Sequence, residues 1–232
     1  MKIKLINPEI PEAIWTIKDI LIVLFSELIS MILFTILILI LLGDRTSSHI
    51  ISLYASGILM ILYPILWIKL KYGLSKEALG LTRGKLRLSI IILYGVVGAI
   101  ICFLIMVSLK HNLRVINHKT SYSPLHIILA PFTPGGFVRI LLIPIGEEIL
   151  YRGFIYGCLR KKLGVILGIG LQSFVFTLSH FQYYAHGTFF TAFLITFILG
   201  LIFGFLYEKT ATLYPPIICH GLVNYLANYL TI

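Results

Sequence analysis

The sequence predicts an all-α, polytopic membrane protein, and three observations lead there. Of its 232 residues, 59% are hydrophobic and 12% charged, about half the charged share of a soluble domain. Its mean hydropathy is +0.99. Its apolar residues come in blocks long enough to cross roughly 30 Å of hydrocarbon, and blocks this apolar satisfy their backbone in lipid only as helices.

Seven such blocks are expected, at 20–42, 50–68, 88–109, 136–159, 165–181, 189–207 and 215–231. The first is not a cleaved leader: Lys18, Asp19 and Glu27 surround its start, and no small-residue cleavage site follows. After the second comes "KLKYGLSKEALGLTRGKLRL", with Lys69, Lys71, Lys76, Arg83, Lys85 and Arg87. The third runs into the longest polar segment, 110–134, which closes on the helix-breaking "APFTPGG". The fourth holds "LLIPIGEEILYRGFIYG" and is separated from the fifth by Arg160, Lys161 and Lys162. "FQYYAHG" links the fifth to the sixth, and the seventh opens "LYPPIICHG", where Pro215 and Pro216 mark a helix start.

The net charge of +10 follows membrane topology and does not indicate nucleic acid. Basic residues collect on the cytoplasmic side of short loops. Their concentration in the N-terminal segment, in 69–87 and in 160–162, against poorer loops "GDRTSSH" and "FQYYAHG", places the N-terminus in the cytoplasm and the C-terminus outside. The expected location is the cell (plasma) membrane. Residues 1–232 read as one integral membrane domain without internal repeats. Cys102, Cys158 and Cys219 form no C-x-x-C and read as small apolar side chains.

The acids are few enough to inspect singly. Asp19 and Asp44 fall at span edges, and Glu9, Glu12, Glu77 and Glu208 in loops or tails. Glu27 lies about two turns into the first span, where an interfacial or snorkelling role is expected. Only Glu147 and Glu148 lie near mid-span. Most histidines sit in or beside loops, but His180 and His220 lie in apolar surroundings. Ionisable groups inside a membrane cost several kcal/mol and usually mark a function.

Glu148 and Arg152 are four apart, within about 40° on one helical face. That spacing suits an intrahelical pair with a structural role. Glu147 points roughly 100° away from Glu148, so it needs another partner or water. An adjacent carboxylate and a low dielectric are the conditions in which a glutamate becomes a useful general base. "FTLSH" puts Phe176 and His180 on one face of the fifth span, and "HGLVN" puts His220 and Asn224 on one face of the seventh. Two histidines, an asparagine and a carboxylate on three spans suggest a shared polar cavity.

Several chemistries lack their residues. There is no H-E-x-x-H, no aspartate within a span and no G-x-S-x-G. What remains is Glu and His acting on water, with His and Asn as donors to an oxyanion. Glu147, His180 and His220 are equally the ligand types of a zinc ion that activates water, and the sequence leaves both readings open.

In order and on three apolar segments, "EEILYR", "FTLSH" and "HGLVN" resemble the motifs of the CPBP family (CAAX proteases and bacteriocin-processing enzymes, also called Abi), intramembrane endopeptidases related to the type II CAAX prenyl endopeptidase. The resemblance covers the C-terminal part of the chain, and a catalytic core is expected over 135–230. It implies that Glu147 and His180 activate water, that His220 and Asn224 stabilise the oxyanion, and that Glu148 and Arg152 support the site. No cofactor is required on this reading, although zinc is possible. The expected partners are the lipid bilayer and a membrane-associated peptide or protein substrate. Two other classes fit the composition. One is a non-catalytic membrane scaffold or bacteriocin-immunity protein. The other is a small transporter with an intramembrane carboxylate site, against which the lack of an internal repeat counts.

One conflict is visible in advance. In straight, vertical helices Glu147 lies near mid-membrane, and His180 and His220 near opposite ends of their spans. Tilt, short spans or a break near 164–170 must bring them together.

Overall fold

The computed structural model describes residues 9–43, 45–112, 123–180 and 189–229, and among them there are helices and turns but no strands. Helix α1 (Ile17–Leu42) pairs with α2 (Arg45–Tyr72), and α3 (Leu88–Asn112) follows a short 3₁₀ turn at Lys76–Leu79. A brief α4 (Pro124–Leu129) leads to a long helical run. It comprises α5 (Pro134–Phe137), π1 (Val138–Leu142), α6 (Ile143–Glu147), π2 (Glu148–Tyr156) and α7 (Gly157–Ser179), where π1 and π2 are π-helical. Helices α8 (Phe189–Thr210) and α9 (Tyr214–Tyr229) complete the bundle.

Five helical segments are long and apolar enough to cross a membrane: 17–42, 46–72, 88–112, 134–179 and 189–210. The expected fourth and fifth spans fall within the single run 134–179. The expected seventh is represented by the sixteen residues of α9, and its end at 231 lies outside the described residues, as do His118, His186 and most of the loop "FQYYAHG".

The long run is not straight. At Gly164 the backbone takes φ 78°, ψ −179°, a region essentially restricted to glycine. A β-carbon built on Gly168 would lie 3.1 Å from the backbone nitrogen of Arg160. Residues eight apart in a straight helix are about 12 Å apart, so the chain reverses at Gly164. This is the break that the conflict between helix ends required.

The N-terminus of α1 is held by a polar knot. Thr16 and Asp19 form a reciprocal capping box. Asp19 also accepts from Trp67 Nε1 at 3.0 Å, Tyr72 Oη at 2.7 Å and Lys71 Nζ. The preceding segment packs on π2, where Trp15 Nε1 donates to the Phe154 carbonyl at 2.7 Å and its ring stacks on that of Phe154.

Two acids differ from their sequence expectation. Glu208 is not in a loop. It lies buried in the last part of α8, where its carboxylate accepts from Tyr156 Oη at 2.7 Å and from Arg160 at 2.8 Å. Glu27 is not snorkelling. It is 9% exposed and belongs to the buried stripe Asp19, Val23, Glu27 of α1, whose i, i+4 spacing keeps these residues on one face.

Gly164→Ala is expected to cost roughly 1–3 kcal/mol, because alanine does not fit this backbone region. Thermal melting in detergent reads the loss. Gly170→Ala is the control, since Gly170 has no positive φ and open space where its β-carbon would be. Equal melting of both variants with the parent would show that the reversal needs no glycine.

Candidate active site

The run 134–179 supplies the acids, and its irregularities shape the site. In π1 the amide of Ile143 donates to the Val138 carbonyl, an i→i+5 bond. Pro144 has no N–H to offer. The carbonyls of Arg139 and Ile140 therefore lose their usual intrahelical donors, and α9 docks on both. Asn224 Nδ2 donates to the Arg139 carbonyl at 3.0 Å. Gly221 packs so close that a β-carbon there would lie 2.5 Å from the Ile140 oxygen. Four residues of one motif, His220 to Asn224, are thus fixed against the segment that leads into the glutamates.

Glu148 and Arg152 are completely buried, and Arg152 Nη1 donates to Glu148 Oε1 at 2.9 Å. The guanidinium also donates through Nη2 to the Gly200 carbonyl at 3.2 Å. Its flat faces are covered by Phe176, 4.4 Å from the ring centroid, and Phe203, at 5.1 Å. A cation in apolar surroundings gains from both aromatic faces. Phe203 in turn stacks on His220 at 4.7 Å.

Glu147 is nearly buried, and both histidines reach it. His220 Nε2 lies 3.4 Å from Glu147 Oε2, while its Nδ1 lies 2.8 Å from Glu148 Oε1. A carboxylate only accepts, so Nδ1 carries the hydrogen. His180 Nε2 lies 3.8 Å from Glu147 Oε1. Helix α7 ends at His180, whose ring Nδ1 lies 2.8 Å from the Phe176 carbonyl. That contact puts the hydrogen on Nδ1 and leaves the Nε2 lone pair facing Glu147 when the ring is neutral.

The structure brings Glu147, His180, His220, Glu148 and Arg152 into one contiguous group. It fixes Asn224 one helical turn beyond His220, on the Arg139 carbonyl. Sequence reasoning passed over four contributors. Phe203 and Gly200, on α8, have no polar side chain to signal them. Tyr151 is buried, meets Phe176 edge-on at 5.1 Å and interacts with Glu147, Glu27 and the hydroxyl of Ser179. Glu27 faces Glu147 closely enough for their charges to act on each other.

For zinc, the chemical types of Glu147, His180 and His220 are suitable. Among the described residues, however, no three His, Cys, Asp or Glu side chains come together as a group able to hold a metal.

Residues 129–226 match the family model described as type II CAAX prenyl endopeptidase Rce1-like. This segment is Rce1-like. The match contains all six residues of the site and the helices that carry them, while α1, α2 and α3 lie outside it. No curated protein and no solved structure matches the chain. The resemblance to the CPBP family stated from "EEILYR", "FTLSH" and "HGLVN" therefore stands. With the apolar helices, it supports an integral membrane protease of CAAX type, acting in a bilayer on a peptide substrate.

Removing Arg152 leaves Glu148 as an uncompensated buried charge, at a cost of roughly 3–5 kcal/mol. Arg152→Ala is expected to melt lower and accumulate less than the parent. A variant as stable as the parent but inactive would assign Arg152 to the chemistry instead.

Proposed function

We propose that the chain is an intramembrane endopeptidase that hydrolyses peptide bonds of membrane-associated proteins or peptides with water activated by Glu147 and His180. The observation that carries this reading is the approach of two imidazole Nε2 atoms to the Glu147 carboxylate, 3.4 and 3.8 Å away, inside an apolar helical segment.

The gap between Glu147 Oε1 and His180 Nε2 presents an acceptor on each side. A water bridging it gives one hydrogen to each acceptor and turns a lone pair outward, toward a carbonyl carbon. Glu147 takes the proton as the oxygen attacks. The tetrahedral oxyanion then needs donors. His220 Nδ1 is committed to Glu148, so Nε2 donates only when the ring is an imidazolium. Glu147 and Glu148 flank that ring and favour its positive form. Asn224 adds its amide as a second donor. Breakdown expels the amine, which takes the proton held by Glu147, and the carboxyl product leaves. Glu148 and Arg152 hold His220 in place and are not consumed in the step.

In this reading the protein spans the cell membrane seven times. The run 134–179 contributes two crossings that reverse at Gly164, and α9 contributes the last. The N-terminus is cytoplasmic, and residues 135–230 form the catalytic core within one domain 1–232.

Glu147→Gln keeps the shape but cannot take the proton, and is expected to melt with the parent and lose about 10²-fold or more in turnover. The assay is cleavage of a membrane-peptide library by purified protein in detergent. Cleavage at the parent rate would make the acidic pair a packing device, and substrate uptake by liposomes without cleavage would favour a transporter.

We further propose that the reaction needs no metal, because a base, a positioned water and two oxyanion donors are all supplied by side chains. Elemental analysis of active, chelator-treated protein is expected to find no stoichiometric zinc. One zinc per chain, with activity lost on its removal and regained on its return, would overturn this.

A further inference from the structure

Glu27 comes from α1, outside the matched segment, yet it faces the candidate base. Its situation differs from that of every other buried acid among the described residues. Asp19 accepts from Thr16, Trp67, Lys71 and Tyr72. Glu148 has Arg152 and His220, and Glu208 has Tyr156 and Arg160. Glu147 has the two histidines. Glu27 is 9% exposed and makes no hydrogen bond or ion pair among the described residues, and its electrostatic neighbours are Glu147 and Tyr151.

The charge balance is lopsided. Three carboxyl groups, Glu27, Glu147 and Glu148, face one guanidinium, and that guanidinium is spent on Glu148. Charges in a membrane interior pair with opposite charges. Two of these acids have no permanent cation.

The placement of Glu27 adds a second argument. It is the last buried residue of α1, and residues 28–42 contribute none. Beyond Glu27, α1 remains tied to α2 through Ser30 and Tyr63, whose hydroxyls lie 2.6 Å apart. Glu27 thus stands where α1 parts from the core, beside the site and at its edge.

We propose that Glu27 is a substrate-recognising carboxylate, which takes up an ammonium or guanidinium group of the membrane peptide next to the scissile bond. The proposal rests on the endopeptidase reading and adds a substrate preference: a peptide with lysine or arginine inside its apolar segment. Such a residue is costly in lipid, so a substrate carrying one gains twice, by leaving the lipid and by meeting a carboxylate. Binding then orients the chain, with the cation on the α1 side and the carbonyl toward Glu147.

The test uses two labelled polyleucine membrane peptides, identical except for one central lysine or norleucine, and full-length protein in nanodiscs. Fluorescence anisotropy gives Kd, and cleavage is followed in the same samples. The parent is expected to bind the lysine peptide about 10-fold or more tightly than its twin, the scale of a hydrogen bond to a charged group. Glu27→Gln should bind both alike, with the norleucine affinity unchanged and the melt of the parent. Glu27→Asp, which keeps the charge, should retain part of the preference and serves if the glutamine variant folds poorly. A parent without preference, or a preference that survives in Glu27→Gln, overturns the proposal. Uniform loss of cleavage in Glu27→Gln with unchanged binding also overturns it. Preferential binding without any cleavage would keep the cation subsite and remove the protease reading. Cleavage without preference would do the reverse.

Discussion

The Glu148–Arg152 pair is the interaction on which the site depends. Neither group touches solvent, and each alone would be among the most costly side chains in the bundle. Together they anchor five elements. Arg152 joins π2 to the Gly200 carbonyl of α8 and lies between Phe176 of α7 and Phe203 of α8. Glu148 reaches His220 of α9. Glu147, the last residue of α6, is then placed by its covalent neighbour. A lysine at 152 would supply the charge but neither the flat surface that two phenyl rings cover nor the forked donors that reach Glu148 and Gly200 together.

Backbone irregularity does the rest of the positioning. Lipid offers the helices little hydrophobic drive to associate, so close packing and polar contacts must hold them. A regular helix consumes its own carbonyls. This chain releases some at chosen places: Pro144 and the π-turn before it free those of Arg139 and Ile140, and the end of α7 frees that of Phe176. Asn224, Gly221 and His180 each use one. The groups proposed for chemistry are therefore also groups that join helices. Stability and activity can be separated here only by substitutions that preserve shape.

Much of this was legible in the sequence, because the chemistry lies in few residues within strongly apolar blocks. The helical class, the intrahelical pair and the six site residues could be read from spacing and from the scarcity of charge. The need for a break near 164 followed from helix geometry once three side chains were required to meet. Other features were not legible. The π-turns lie in segments whose apolar pattern looks α-helical, and their effect shows only in which carbonyls are left free. Phe203 and Gly200 matter because of what lies against them, and that is set by tertiary packing. Glu208 reads as a loop acid because it follows an apolar run, although its partners Tyr156 and Arg160 come from a separate helix pair. Glu27 reads as interfacial because it lies near a span start, although the stripe Asp19, Val23, Glu27 already placed it on one face with a residue that the knot turns inward.

The last step concerns why a chain would keep three carboxyl groups so near one another in lipid. For stability alone, an apolar residue at 27 or 147 would serve better, since an acid without a cation adds cost and no packing. Selection for structure would leave Glu148 with Arg152 and replace the other two. Their presence is understandable when the missing positive charge arrives from outside: transiently as a proton taken from water at Glu147, and as a cationic side chain at Glu27. The imbalance then belongs to the resting enzyme, and each turnover relieves it. On this view the membrane supplies both halves of the mechanism. It makes an unpaired carboxylate reactive, and it makes a cationic group in a passing peptide ready to leave the lipid.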